Sequence, residues 1–189
     1  MSRKASNNSD QPKQKLVVVG GGFGGIELIK RLRNSDFEIT LVDKHNYHTF
    51  QPLLYQVASG GLSADSIGYP FRLIFRNQKN FRFRMAEVQK VDSSKKQLET
   101  STGIIPYDHL VLATGSTSNY FGNTEVERYG RPLKSIPEAL NLRSEILQEL
   151  EKATLTAKHS DQKQHMTFVI VGGGPTGVET AGALAEFKK

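Results

Sequence analysis

The chain has 189 residues, of which 25 are basic and 19 acidic, giving a formal net charge of +6. That length holds one complete domain or parts of two. Cysteine is absent, which excludes disulfides and a redox-active cysteine pair, and no run of eighteen apolar residues is present to span a bilayer.

Residues 1–14 are polar and basic without an apolar centre, and are expected to form a disordered tail rather than a signal peptide. Leu16–Val19 follows as a short, Val-rich apolar run bounded by glycine, the pattern of a buried parallel strand. It leads into a glycine-rich turn. Gly20, Gly22 and Gly25 fill the slots of a GxGxxG pattern, with Gly21, Phe23 and Gly24 between them. In such a turn the first glycine permits the sharp change of direction and the second admits a pyrophosphate close to the backbone. The third lets helix and strand pack closely. Backbone N–H groups and the positive end of the helix dipole then face the phosphates. Phe23 is expected to cap the site rather than take part in chemistry. No Gly-Lys-Ser/Thr follows, so a P-loop NTPase is a poor alternative.

Glu38–Asp43 (EITLVD) reads as the next strand, and Asp43 falls where this fold places an acid on a ribose hydroxyl. Pro52 begins a short helix carrying Leu53, Leu54 and Val57; Gly60 and Gly61 end it, and a second helix is expected near Ala64. Arg72, Arg76, Lys79, Arg82 and Arg84 form the densest basic stretch, interleaved with Phe71, Phe75, Phe81 and Phe83. Alternation in FRFRM marks a strand with one buried and one wet face, a reading preferred over nucleic-acid binding. A basic face toward anionic lipid or an anionic cofactor is the more plausible use. Arg84–Asp92 and Gln97–Thr100 are expected to pair as a hairpin around the turn at Asp92–Lys95.

Tyr107–Ala113 is a strongly apolar strand closed by Thr114-Gly115-Ser116. Ser135–Leu150 reads as a helix with a capping box from Ser135 and Glu138 and Pro137 in its first turn. Ala139, Leu142, Ile146, Leu147 and Leu150 are assigned to its core face. Residues 152–164 are polar and read as a surface loop. His45 and His48 stand three apart without a third ligand nearby, so no metal site is expected. His109, His159 and His165 are assigned to the surface.

Met166–Val171 repeats the apolar strand, and a second GxGxxG pattern follows at Gly172, Gly174 and Gly177, with Gly173, Pro175 and Thr176 between, 152 positions after the first. Glu179 lies in the first turn of the helix beyond, where the helix dipole alone favours an acid and a functional role is equally open. Two dinucleotide sites in one chain point to electron transfer between two cofactors.

With VVVGGGFGGIE, LVDKHNYHTFQPLLYQVASGGLS, YDHLVLATGS and VIVGGGPTGVETAGALAE in hand, the chain resembles the N-terminal part of the type II NADH dehydrogenases, single-subunit flavoprotein NADH:quinone oxidoreductases. The FQPLLYQVA stretch is the most specific of these. The resemblance implies an α/β fold of two Rossmann-like dinucleotide-binding units, the second truncated, with a small antiparallel β insertion. Residues 15–135 would be the first part of an FAD-binding domain and residues 136–189 the start of an NADH-binding domain. FAD would lie on the first glycine turn, with its ribose at Asp43 and Lys44 beside it. Val88 would approach the adenine by its backbone, Ala113, Thr114 and Gly115 would support the cofactor, and Pro52 and Leu53 would lie near the flavin ring. NADH would bind the second turn, with Glu179 near nicotinamide and flavin.

The implied reaction passes hydride from NADH to flavin and then two electrons to a membrane quinone, without proton pumping. An FAD-dependent reductase of a protein carrier such as ferredoxin or rubredoxin is the alternative, and a non-catalytic nucleotide-binding module a third. The resemblance also implies peripheral attachment to the cytoplasmic face of the membrane through a C-terminal region beyond these residues, and a possible homodimer. The 189-residue chain alone is expected to be poorly stable and inactive, because the second unit stops short of its next strand.

Overall fold

The computed structural model describes residues 12–186, so the expected tail at 1–14 lies almost wholly outside the described residues. In chain order the elements are β1 (Lys15–Val19), α1 (Phe23–Arg31), β2 (Glu38–Asp43), β3 (Tyr47–Thr49), α2 (Leu54–Ala58), β4 (Gly68–Pro70), α3 (Phe71–Ile74), β5 (Phe81–Met85), β6 (Val88–Asp92), β7 (Gln97–Thr100), β8 (Gly103–Pro106), β9 (His109–Leu112), α4 (Thr124–Tyr129), α5 (Ile136–Leu155), α6 (His159–His165) and α7 (Pro175–Glu186). They group into two compact units. One runs to His48 and resumes over Pro70–Gly115; the other holds Thr49–Tyr69 and the residues from Ser116 onward.

The first unit is built on a four-stranded sheet in the order β5-β2-β1-β9. All three pairings are parallel, with Val17 opposite Thr40 on one side and Leu110 on the other. Its central strands are mostly apolar between their ends because both faces are covered. Leu16 and Val18 join Ile39 and Leu41 beneath Ile26 and Ile29 of α1 and Phe71 and Phe75, whereas Val17, Val19 and Val42 face Leu98, Ile105 and Tyr107. Phe71, Ile29 and Leu41 are fully buried, each worth about 1.5–3 kcal/mol of transfer free energy. FRFRM is β5, the sheet's edge, with Phe81 and Phe83 packed on the core and Arg82 and Arg84 exposed, as the alternation predicts.

The expected hairpin needs correction at its start. Arg84 belongs to β5; a break at Ala86 and Glu87 separates it from β6, and the hairpin is β6 with β7 alone. β7 also pairs with β8, a strand absent from the sequence reading, to give a three-stranded antiparallel sheet. The parallel sheet and this antiparallel insertion together give the expected α/β class.

In the second unit, a 3₁₀ turn at Gln51–Leu53 leads into α2, and the chain leaves α2 through Gly60 at φ +78°. Near Ala64 there is one 3₁₀ turn instead of a helix. Leu54, Val57 and Ala58 pack with Ile67 and with Ala139 of α5. The capping box of α5 is complete: Ser135 Oγ accepts from the Glu138 N–H at 3.4 Å, and Glu138 Oε2 accepts from the Ser135 N–H at 2.9 Å. Ala139, Ile146 and Ala153 are its buried residues, while Leu147 is exposed, contrary to its assignment to the core face.

Residues 152–164 are mostly helical, not a loop: α5 runs to Leu155, and α6 follows. A hydrogen bond of 2.7 Å between His165 Nδ1 and Glu149 Oε2 fastens α6 to α5, so His165 is half-buried, not a surface residue. Met166–Val171 is not a strand either. Val169 and Val171 are exposed, and no described strand runs beside them to supply ladder hydrogen bonds.

Candidate functional site

At the C-terminal ends of β1, β2 and β9 the first glycine turn is held by the sheet itself. The Gly20 N–H donates to the Val42 carbonyl at 2.9 Å, and the Ala113 N–H donates to the Val19 carbonyl at 2.8 Å. Gly20 has φ +102°, and a Cβ there would collide with the Ala113 carbonyl, so Gly20 and Ala113–Thr114 approach backbone to backbone. At Gly21 a Cβ would enter the Phe71 ring, and at Gly25 it would strike the Gly20 carbonyl. These three glycines are required by the protein's own packing.

Gly22 and Gly24 differ. A Cβ on either meets nothing within 4 Å, and Gly22 has an ordinary φ of −73° as the residue preceding α1. Neither internal packing nor backbone conformation demands glycine at 22. What remains is close approach from outside, which is the role of the second glycine in a pyrophosphate-binding turn. The first-turn residues therefore fit a dinucleotide.

Asp43, at the end of β2, is partly buried. Its Oδ2 accepts from the Gly21 N–H at 2.7 Å and its Oδ1 from the His45 N–H at 2.8 Å. His48 of β3 places Nδ1 3.0 Å from the Gly21 carbonyl oxygen and meets the Phe23 ring edge to face at 5.1 Å. Lys44 and Gly115 extend the same rim and are exposed, Gly115 with φ +71°. Val88 begins β6 and packs beneath the sheet against the cluster of Val19 and Val42. Gly20–Gly25, Asp43, Ala113 and Thr114 are thus brought together within the first unit. Pro52, Leu53 and Glu179 belong to the second.

The sequence raised His48 only as a metal ligand. Its partner is a backbone carbonyl 27 residues away, which no residue-type pattern signals. Among the described residues no group of three His, Asp or Glu side chains could hold a metal ion, and no helix is long and apolar enough to cross a membrane.

The second turn repeats the first. Gly172 has φ +113°, and a Cβ on Gly177 would strike the Gly172 carbonyl and reach Ile170 Cγ2 at 3.5 Å, as one on Gly25 would reach Val18 Cγ1 at 3.5 Å. The Val178 N–H donates to the Gly174 carbonyl at 3.1 Å, matching Ile26 to Gly22 at 3.0 Å. Gly174 is open where a side chain would project, as Gly22 is, and so is Gly173, whose counterpart Gly21 instead meets the Phe71 ring. Pro175 and Thr176 start α7, and Glu179 lies exposed in that helix.

The family model of pyridine nucleotide-disulphide oxidoreductases matches residues 14–189. Type II NADH:quinone oxidoreductase NdhA of Mycobacterium tuberculosis is 44% identical over 179 residues, covering 92% of this chain and 38% of that protein. The mitochondrial external alternative NAD(P)H-ubiquinone oxidoreductase B3 of Arabidopsis thaliana is 36% identical over 198 residues, covering 96% of this chain and 34% of its own length. Among solved structures, NDH2 from Plasmodium falciparum in complex with NADH superposes with a TM-score of 0.84 at 32% identity, covering 93% of this chain and 37% of that one. The chain spans well under half the length of these relatives.

Proposed function

This chain belongs to the pyridine nucleotide-disulphide oxidoreductase family, and from that premise we propose that it is the cofactor-binding portion of a flavoprotein that oxidises NADH and reduces a membrane quinone. FAD would be held on the first turn by the N–H groups at Gly22, Phe23 and Gly24, with Asp43 and Lys44 at its ribose and Ala113–Gly115 along it. Val88 would border the adenine, and Pro52 and Leu53 the ring. NADH would take Gly172–Gly177, with Glu179 orienting the nicotinamide or serving the quinone step. When bound, FAD supplies the acceptor for hydride and the donor of two electrons; the protein supplies position and electrostatics.

The open Cβ direction at Gly22, in the slot where this kind of turn admits a pyrophosphate, is the observation that most supports this reading. The names of the relatives favour quinone as acceptor. The absence of cysteine removes a disulfide within this chain as the acceptor. Attachment to the cytoplasmic membrane face through regions outside these residues, and a homodimer, complete the proposal.

The test is an absorbance spectrum of the protein that carries this chain. Flavin bands bleached by NADH and restored by a soluble quinone support the reading. Flavin that NADH does not bleach would leave a binding module and overturn it.

A further inference from the structure

We infer that His48 is a positioning residue of the first glycine turn, one that aims the Gly22 N–H at the cofactor. The inference rests on the reading of that turn as the FAD site. The Gly21 residue is held from two sides. Its N–H donates to Asp43 Oδ2 at 2.7 Å, and its carbonyl oxygen lies 3.0 Å from His48 Nδ1. A carbonyl can only accept, so Nδ1 carries a proton and donates, in the neutral ring as in the charged one.

The consequence follows from peptide geometry. The Gly21–Gly22 peptide is planar and trans, so its carbonyl and its N–H point in opposite directions. Drawing the Gly21 carbonyl toward His48 turns the Gly22 N–H the other way. Gly22 is the exposed glycine whose missing Cβ faces open space, whereas Gly21 is buried under the Phe71 ring. The bond from β3 therefore sets the direction of a donor that the ligand meets.

Phe23 tightens the arrangement. It is the first residue of α1, and its edge-to-face contact with His48, at 81° between ring planes, joins the start of that helix to the same imidazole. Imidazole, glycine peptide and Asp43 form one clamp across β2, β3 and the turn. Without the His48 donor the Gly21 carbonyl loses its hydrogen-bond partner, and the Gly21–Gly22 peptide is held only at its flanks, by the Gly21 N–H on Asp43 and the Gly22 carbonyl on the Ile26 N–H.

Three variants test this in the complete protein. In His48→Asn the side-chain nitrogen sits as many bonds from Cβ as Nδ1 does; in His48→Gln the donor is one bond farther out; in His48→Leu there is none. FAD affinity should fall about tenfold or more in His48→Leu, the scale of one partly buried carbonyl left unpaired. It should return to within about threefold in His48→Asn and not in His48→Gln, and the visible circular dichroism of the flavin should follow the same order.

Unchanged affinity in His48→Leu would overturn the inference while leaving the FAD reading intact. So would equal loss in all three variants with a lowered melting temperature of the flavin-free protein, which marks His48 as merely structural. The backbone order parameter of the Gly22 N–H, which shares a peptide with the Gly21 carbonyl, decides the matter without any cofactor. A lower value in His48→Leu, restored in His48→Asn, sustains the clamp even if FAD proves not to be the ligand. Identical values in all proteins overturn it.

Discussion

The carbonyl of Gly20 occupies the space that a side chain on Gly25 would need, so strand end and helix start are in direct backbone contact. Gly22, two residues along the same turn, has open space where its side chain would be. The contrast separates a glycine that the fold's own packing requires from one that it does not. Gly25→Ala should lower unfolding free energy by about 1–3 kcal/mol, as overpacking does. Gly22→Val should cost the flavin-free protein no more than about 1 kcal/mol, through the poorer N-cap, and abolish FAD binding. Thermal melts paired with FAD titrations check both, and a Gly22→Val protein that kept its flavin would remove the first turn from the cofactor site.

Asp43 is expected to matter before any ligand arrives. Asp43→Ala leaves the N–H groups of Gly21 and His45 without their acceptor, at about 1–3 kcal/mol for each donor that water cannot reach. Asp43→Asn keeps one acceptor oxygen and should fall between wild type and Asp43→Ala. Urea unfolding gives the order. If all three proteins unfolded at one midpoint, Asp43 would act on the ligand alone.

Much of this arrangement was legible because several residue-level signals agreed. Leu16–Val19 and Glu38–Asp43 carry the apolar runs of strands buried on both faces, and Ser135 with Glu138 announces a helix start. Other elements left no such trace. α6, HSDQKQH, has no apolar face; its attachment depends on His165 with Glu149 and on the Gln162 side chain with the Thr156 carbonyl. β8, GIIP, is too short to show an alternation, and Ile105 is its buried residue. Met166–Val171 has the composition of a strand, but composition cannot supply a neighbour to pair with.

The capping box at α5 should be separable from the cofactor site. Ser135→Ala removes the acceptor of the Glu138 N–H and should cost about 1 kcal/mol, with Ser135→Asp largely neutral. Amide exchange in the first turn of α5 should quicken in the alanine variant. A change in FAD affinity would contradict the independence expected here.

Acid should loosen the α5–α6 connection. The Lys152 ammonium and the His165 ring beside Glu149 hold its carboxyl below the ordinary value of 4.5. A depressed carboxylate stabilises the folded state above its unfolded value, and that contribution is lost as pH falls through the folded one. The difference in melting temperature between wild type and Glu149→Gln should therefore be greatest above pH 4.5 and shrink below it. A difference that stayed constant down to the most acid conditions would show that the carboxylate charge plays no part.

The matching geometry of the turns at Gly20–Gly25 and Gly172–Gly177 bears on how two related nucleotides are told apart. FAD and NADH share an adenosine diphosphate half, and on the proposed reading each turn would meet it with a similar backbone path, except that Pro175 stands where the first turn has Phe23 and supplies no N–H. Selectivity can then reside in that missing donor and in the surroundings. At the first turn those surroundings are Asp43, His45 and His48, which engage the turn or its flanking chain. An exchange of preference between the cradles would have to be sought both in such neighbours and at the position of Phe23 and Pro175, where one turn offers an N–H and the other does not.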